Sequence, residues 1–221
     1  MTPSPSDISR ASVKLSKGLA IGYRSIIATV TEDIPLENGT HYLLARNGRG
    51  KTTLLKTLAG LLNQRSGQYT THGRCQFIGD EFYFDRELKS KAIFKALIPE
   101  AHRQVALQLA DQLELDTNKD VGKLSFGNRK KVGLIVAEFR VLKESPNIVF
   151  YDEPFTGLDT PARETIAEHW LSTSEYTLRI VSCHPDFDSM AMPSALLISD
   201  AQIFRGGDGN LTWADFKKCL S

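Results

Sequence analysis

The residues Ala45-Arg46-Asn47-Gly48-Arg49-Gly50-Lys51-Thr52-Thr53 follow an apolar run, His41-Tyr42-Leu43-Leu44-Ala45, and precede Leu54, Leu55, Leu58 and Leu61 at helical spacing. That order predicts a strand, a glycine-rich turn, and a helix starting at Lys51 and ending near Leu62. The stretch matches the phosphate-loop pattern G-x-x-x-x-G-K-[ST] except that Ala45 stands where the first glycine belongs. Gly48 and Gly50 allow backbone N–H groups to turn inward around phosphate oxygens at a helix N-terminus, where the helix dipole favours negative charge. Lys51 adds a point charge for the outer phosphates, and the Thr52 hydroxyl is placed to ligate magnesium. Ala45 costs little provided its position needs no positive φ.

A second acidic half lies far downstream. The apolar strand Ile148-Val149-Phe150-Tyr151 ends in Asp152-Glu153-Pro154. Successive strand residues face opposite ways, so Asp152 is suited to hold magnesium and Glu153 to polarise an attacking water. Taken alone, the pair reads more readily as a solvated acidic turn.

Working outward, further strands are expected at Ile26 to Val30, Gln68 to Thr71, Arg74 to Gly79, Asn147 to Tyr151, Thr177 to Cys183 and Ala195 to Ser199. Helical patterns run from about Ser90 to Leu115, split by Pro99, and from Asn128 to Leu142. Another helix starts at Thr160-Pro161, and a last one opens with Thr212 and Asp215 in capping-box spacing. Strands alternating with helices predict an α/β core with a mainly parallel sheet.

The 221 residues, 41% of them hydrophobic, suit one domain with an inserted lobe. Lys and Arg number 27 against 26 acidic residues, so no overall basic field favours nucleic acid, and no such partner is expected. Cys75, Cys183 and Cys219 are widely spaced and fit a reducing cytosol better than a disulfide framework. Met1 to Arg10 is expected to be a loose tail, and no apolar run is long enough to span a bilayer, so a soluble chain is expected. The run Arg129-Lys130-Lys131 is most simply a solvated helix face.

The motifs together resemble the ATP-binding-cassette (ABC) ATPases. Leu124-Ser125-Phe126-Gly127-Asn128 is similar to the family's LSGGQ signature, and Asp152-Glu153-Pro154-Phe155-Thr156-Gly157-Leu158-Asp159 to its Walker B and D-loop run. His184 sits where the switch histidine belongs, and Tyr23 resembles the aromatic that stacks on adenine. The resemblance implies a P-loop core with a small antiparallel β subdomain and an inserted helical subdomain. It implies core segments at 12–79 and 131–205, a helical lobe at 80–130 ending in the signature, and a C-terminal helix at 206–221. It also implies ATP and magnesium as ligands. Tyr23, Asn47, Gly48, Arg49, Gly50, Lys51, Thr52, Thr53, Ser125, Gly127 and Asp159 are the implied nucleotide-binding residues. Glu153 and His184 are the implied catalytic pair, and Thr52, Asp152 and Glu81 the metal group.

In this family one cassette's signature faces the ATP held by another. The implied partners are therefore a second cassette, identical or not, and membrane permease subunits, with the chain peripheral on the cytoplasmic face. The expected function is the ATP-hydrolysing subunit of an ABC transporter, with a weak likeness to haem-exporter subunits. The alternatives are a soluble cassette acting on an assembly scaffold and a weakly hydrolysing nucleotide-binding regulator. Departures bear on the choice. Phe126 replaces glycine and Asn128 glutamine in the signature, Glu81 stands near the Q-loop glutamine position, and the 139–145 link is long. Phe126 is expected to crowd a partner's phosphate. By themselves, Tyr23 could pack on the sheet, His184 could be a core histidine, and Cys183 is a small buried thiol rather than a nucleophile.

Overall fold

The computed structural model describes residues 10–79, 84–140, 145–175, 177–183, 192–206, 211–218 and 220. The first half contains β1 (Ser12–Leu15), β2 (Ala20–Gly22), β3 (Ile26–Val30), β4 (Ile34–Glu37), β5 (Gly39–Ala45), α1 (Lys51–Leu58), β6 (Tyr69–His72) and β7 (Arg74–Ile78). Then come α2 (Ser90–Leu97), α3 (Glu100–Gln112), a 3-10 turn at Val121–Lys123, α4 (Phe126–Phe139), β8 (Asn147–Tyr151), α5 (Thr160–Ser172), β9 (Thr177–Cys183), β10 (Ala195–Ser199), β11 (Gln202–Arg205) and α6 (Trp213–Lys217).

The main sheet has strand order β2-β3-β11-β10-β5-β9-β8-β7. Its centre is parallel: β5 pairs with β10 and β9, β9 with β8, and β8 with β7. Only β2 with β3 and β10 with β11 pair antiparallel within it. A separate antiparallel sheet, β4-β1-β6, lies beside it. The expected α/β architecture with a mainly parallel sheet and a small antiparallel one is therefore present.

Period-two alternation divides the core between the two sheet faces. Leu43, Ile148, Phe150, Leu178 and Ile180 face α1 and the three-stranded sheet, packing with Leu54, Leu55, Leu58, Val13 and Leu36. Leu44, Val149, Tyr151, Val181 and Cys183 face the other way, against Leu109 of α3, Ile135 of α4 and Trp170 of α5. Every residue of β8 and β9 is buried, as strands covered on both faces require. One charged group sits inside this second layer. Glu138 of α4 accepts hydrogen bonds from Tyr151, from Trp170 Nε1 at 2.9 Å and from Arg179 at 3.1 and 2.7 Å. Burial alone would raise its carboxyl, but the Arg179 guanidinium and the nearby His169 outweigh that and hold it far below the usual carboxylate range.

Three local expectations need correction. Helix α1 ends at Leu58 rather than near Leu62, although Leu61 continues the apolar spacing. Gly60 adopts φ +72°, its N–H bonds Thr57 O and the Leu61 N–H bonds Lys56 O, a Schellman stop that leaves Leu61 63% exposed. Helix α4 starts at Phe126, not Asn128, because Ser125 caps it by accepting the Asn128 N–H at 3.2 Å. The basic run at its start is not simply a solvated face. Lys131 is buried and donates to Leu113 O at the end of α3, where the helix dipole favours a cation. Arg129, though exposed, donates to Leu124 O at 2.6 Å.

Candidate functional site

The C-terminal ends of β5, β8 and β9 meet at one edge of the parallel sheet, and the candidate residues sit there. Ala45 is the last, fully buried residue of β5 and is not among the described residues with positive φ, so the missing first glycine carries no strain. The later glycines do adopt the left-handed region, Gly48 at φ +76° and Gly50 at φ +103°. A Cβ on Gly50 would lie 3.1 Å from Ile27 Cγ2 and 3.4 Å from Ile21 Cδ1, so β2 and β3 also press on the turn. Asn47 and Arg49 are exposed along it, and Thr53 is buried behind it.

Lys51 opens α1 with its side chain only 6% exposed. Its ammonium donates to Ala45 O at 3.2 Å and lies 3.8 Å from Glu153 Oε1. The Thr52 hydroxyl donates to Asp152 Oδ2 at 2.6 Å across 100 residues of sequence. The turn and the acidic pair thus meet directly. Ser182 of β9 joins them: its hydroxyl donates to Asp152 Oδ1 at 2.8 Å and accepts the Glu153 N–H at 2.8 Å.

Glu153 has φ +50°, a left-handed conformation that costs a non-glycine residue about 1–3 kcal/mol and persists only where the surroundings hold it. Its carbonyl accepts from Lys130 Nζ at 2.8 Å and from the Thr156 N–H at 3.3 Å.

The segment 124–128 lies against 155–159 of the same chain. A Cβ on Gly127 would come within 2.4 Å of Gly157 O, so this contact needs glycine. The Phe126 ring covers Gly157 from the other side: a Cβ there would sit 2.5 Å from its Cδ1. Lys130 Nζ lies 5.4 Å from the centre of the same ring. Asp159 caps α5, accepting the Ala162 N–H at 3.1 Å. Tyr23 is 54% exposed just beyond β2, and its carbonyl accepts from Arg65 at 3.2 Å. Cys183 is buried, and burial pushes its thiol far up despite Lys51 nearby, which keeps it protonated. Glu81 and His184 lie outside the described residues.

Two residues in this geometry escaped the sequence reading. Ser182 was hidden inside an apolar strand, although a small hydroxyl two residues before His184 among Ile180, Val181 and Cys183 was a usable signal. Lys130 was set aside with its charged neighbours, and nothing in its local sequence distinguishes it from them.

A phosphate-shaped turn at a helix N-terminus, joined to a carboxylate pair at the end of a neighbouring parallel strand, defines a phosphate-loop protein. The family model for ABC transporters matches residues 34–156, more than half of the chain, and the chain belongs to that family. It is 27% identical over 218 residues to ABC transporter G family member 20 of Dictyostelium discoideum, covering 88% of this chain and 29% of that protein. It is 32% identical over 126 residues to an uncharacterized ABC transporter ATP-binding protein of Methanocaldococcus jannaschii, covering 53% of this chain and 46% of that one. The chain thus spans less than half the length of either relative. A bacterial Atm1-family ABC exporter solved with ATP bound shares the fold at TM-score 0.71 and 15% identity, over 96% of this chain and 41% of that chain.

Proposed function

We propose that this chain binds ATP with magnesium, hydrolyses it, and uses the cycle to drive membrane subunits of a transporter. The observation that carries the reading is the 2.6 Å bond between Thr52 and Asp152, with Lys51 and Glu153 only 3.8 Å apart. The Gly48–Gly50 turn and the free N–H groups of α1 bind the phosphates, with Lys51 against the outer ones. Asn47, Arg49 and Thr53 complete the loop, and exposed Tyr23 offers a face for the adenine. Thr52 and Asp152 are hard oxygen donors that fit magnesium, and Glu81 is the further ligand the resemblance suggests. When bound, the ion neutralises charge on the phosphates.

Glu153 takes a proton from the attacking water as its oxygen bonds to the γ-phosphorus. The bond from that phosphorus to the bridging oxygen breaks, and its electron pair leaves on ADP. Lys51 stabilises the charge that develops, and His184 is proposed to hold the γ-phosphate. Ser125, Gly127 and Asp159 act toward the nucleotide of a second cassette, so the working unit is a pair. An apolar cavity of about 320 Å³ beside Asp152, lined by Ile78, Phe84, Phe126 and Leu134 among others, is a recess where a membrane subunit's element could bear on the site. No helix among the described residues is long and apolar enough to cross a membrane. The proposed place of the chain is the cytoplasmic face, beside those membrane subunits.

Steady-state phosphate release tests the chemistry: the reading requires ATP-dependent release that disappears when EDTA removes magnesium. Absence of turnover with tight ATP binding would leave a nucleotide-binding regulator. Co-purification tests the partner, with a membrane permease expected and a soluble assembly complex pointing to the scaffold alternative.

A further inference from the structure

Glu153 is gripped at both ends of its backbone. Its N–H is fixed by Ser182, which also holds Asp152, and its carbonyl accepts from the Lys130 ammonium at 2.8 Å, the shorter of its two bonds, and from the Thr156 N–H at 3.3 Å. With the peptides on either side anchored, the left-handed φ of +50° is set, and only the side-chain torsions remain to aim the carboxylate. Lys130 itself is located rather than free to wander. It is the fifth residue of α4, its ammonium 5.4 Å from the Phe126 ring centre, and that ring is seated on Gly157. Gly127 closes against Gly157 O from the same helix start.

We propose that Lys130 is a positioning residue for hydrolysis: from α4 of the same chain it holds the Glu153 peptide and so fixes where the base points, with Phe126 as the surface that keeps the lysine in place. The inference rests on the ATPase reading above and adds to it a route between half-sites. A second cassette's nucleotide engaging Ser125 and Gly127 presses on the helix start that carries Phe126 and Lys130. Through Lys130 that contact reaches this chain's own Glu153. A carbonyl held by a cation gains a charge-assisted bond, so arginine can replace lysine where an apolar side chain cannot.

The test measures kcat and KM for ATP in wild type, Lys130→Met, Lys130→Gln, Lys130→Arg, Glu153→Gln and the Lys130→Met/Glu153→Gln double variant, with thermal unfolding of each. Lys130→Met is expected to lower kcat about tenfold with KM changed by less than about twofold, as for a misaimed but intact group. Lys130→Gln, which keeps bulk without charge, should fall in the same direction and guards against a folding failure of the methionine variant. Lys130→Arg should recover most of the rate. The double variant should turn over no slower than Glu153→Gln alone, because a residue acting through the base has nothing left to aim. Losses that multiply in the double variant, or an arginine variant as impaired as methionine, would overturn the positioning role. So would unchanged kcat in Lys130→Met and Lys130→Gln while Glu153→Gln is slow, which leaves the ATPase reading intact. Wild-type turnover in Glu153→Gln would take Glu153 out of the mechanism and the positioning role with it, with the ATPase reading intact; only absence of ATP-dependent phosphate release in wild type would remove that reading.

Discussion

At the scale of single residues, charge and hydroxyl groups are placed by backbone devices that each use one or two atoms. The Thr52 hydroxyl and the Ser182 hydroxyl take the two oxygens of Asp152, and Ser182 also receives the Glu153 N–H. The Glu153 side chain is 30% exposed and lies 3.8 Å from Lys51, and in the proposed mechanism it is the base. Glu153→Gln is therefore expected to slow hydrolysis by about a hundredfold or more, the scale of losing a general base, while ATP still binds. Single-turnover assays with radiolabelled ATP would show it, and an unimpaired rate would take Glu153 out of the mechanism. Phe126 changes sign between the two levels of description. As a bulky residue in a glycine position it is expected to obstruct a phosphate, so that Phe126→Gly would raise turnover. In the folded chain its ring packs on Gly157 and beneath Lys130. Removing it deprives both of a neighbour, and the expected outcome becomes a fall in kcat. A rise in phosphate release by that variant would restore the crowding explanation.

At the scale of elements, the buried group Glu138, Arg179, Tyr151 and Trp170, with half-buried His169 beside it, ties α4 to β8, β9 and α5. It fastens the helix capped by Ser125 to the strand that leads into Asp152. Breaking such a pair from one side leaves an uncompensated buried charge, so Glu138→Gln should destabilise the fold by about 3–5 kcal/mol in denaturant unfolding. The pH dependence has a definite sign. The folded carboxyl lies below its ordinary value of 4.5, so the pair's contribution is complete above that pH. It is lost as pH falls below it, toward the folded value. Wild type should lose stability on acidification where Glu138→Gln loses less, and parallel curves would assign the acid loss to other groups. Neither partner was visible as a pair in the sequence, since 41 residues separate them. The central strands were legible because both faces are covered and their composition is mainly apolar. The strands β1, β4 and β11 were not, since Ser12-Val13-Lys14-Leu15 or Gln202-Ile203-Phe204-Arg205 becomes a strand only through its pairing. Likewise, the end of α1 depended on the stop at Gly60 overriding the continued spacing of Leu61.

At the scale of the whole molecule, the fold brings distant motifs to one sheet edge. Parallel order β5-β9-β8 puts the phosphate turn after one strand and the acidic pair after another, with Ser182 between them. The meeting of the phosphate turn and the acidic pair was legible in the sequence because each follows the end of an apolar strand. Lys130 was not, because its role depends on α4 lying over Glu153. Whether that convergence makes one nucleotide site is tested most directly by calorimetric titration of Mg-ATP into wild type and Lys51→Ala. Saturable binding by wild type is expected, with loss of most affinity in the variant, which removes the buried ammonium and leaves the rest of the turn. Equal affinity in the two proteins, or no binding heat in wild type with magnesium present, would contradict it.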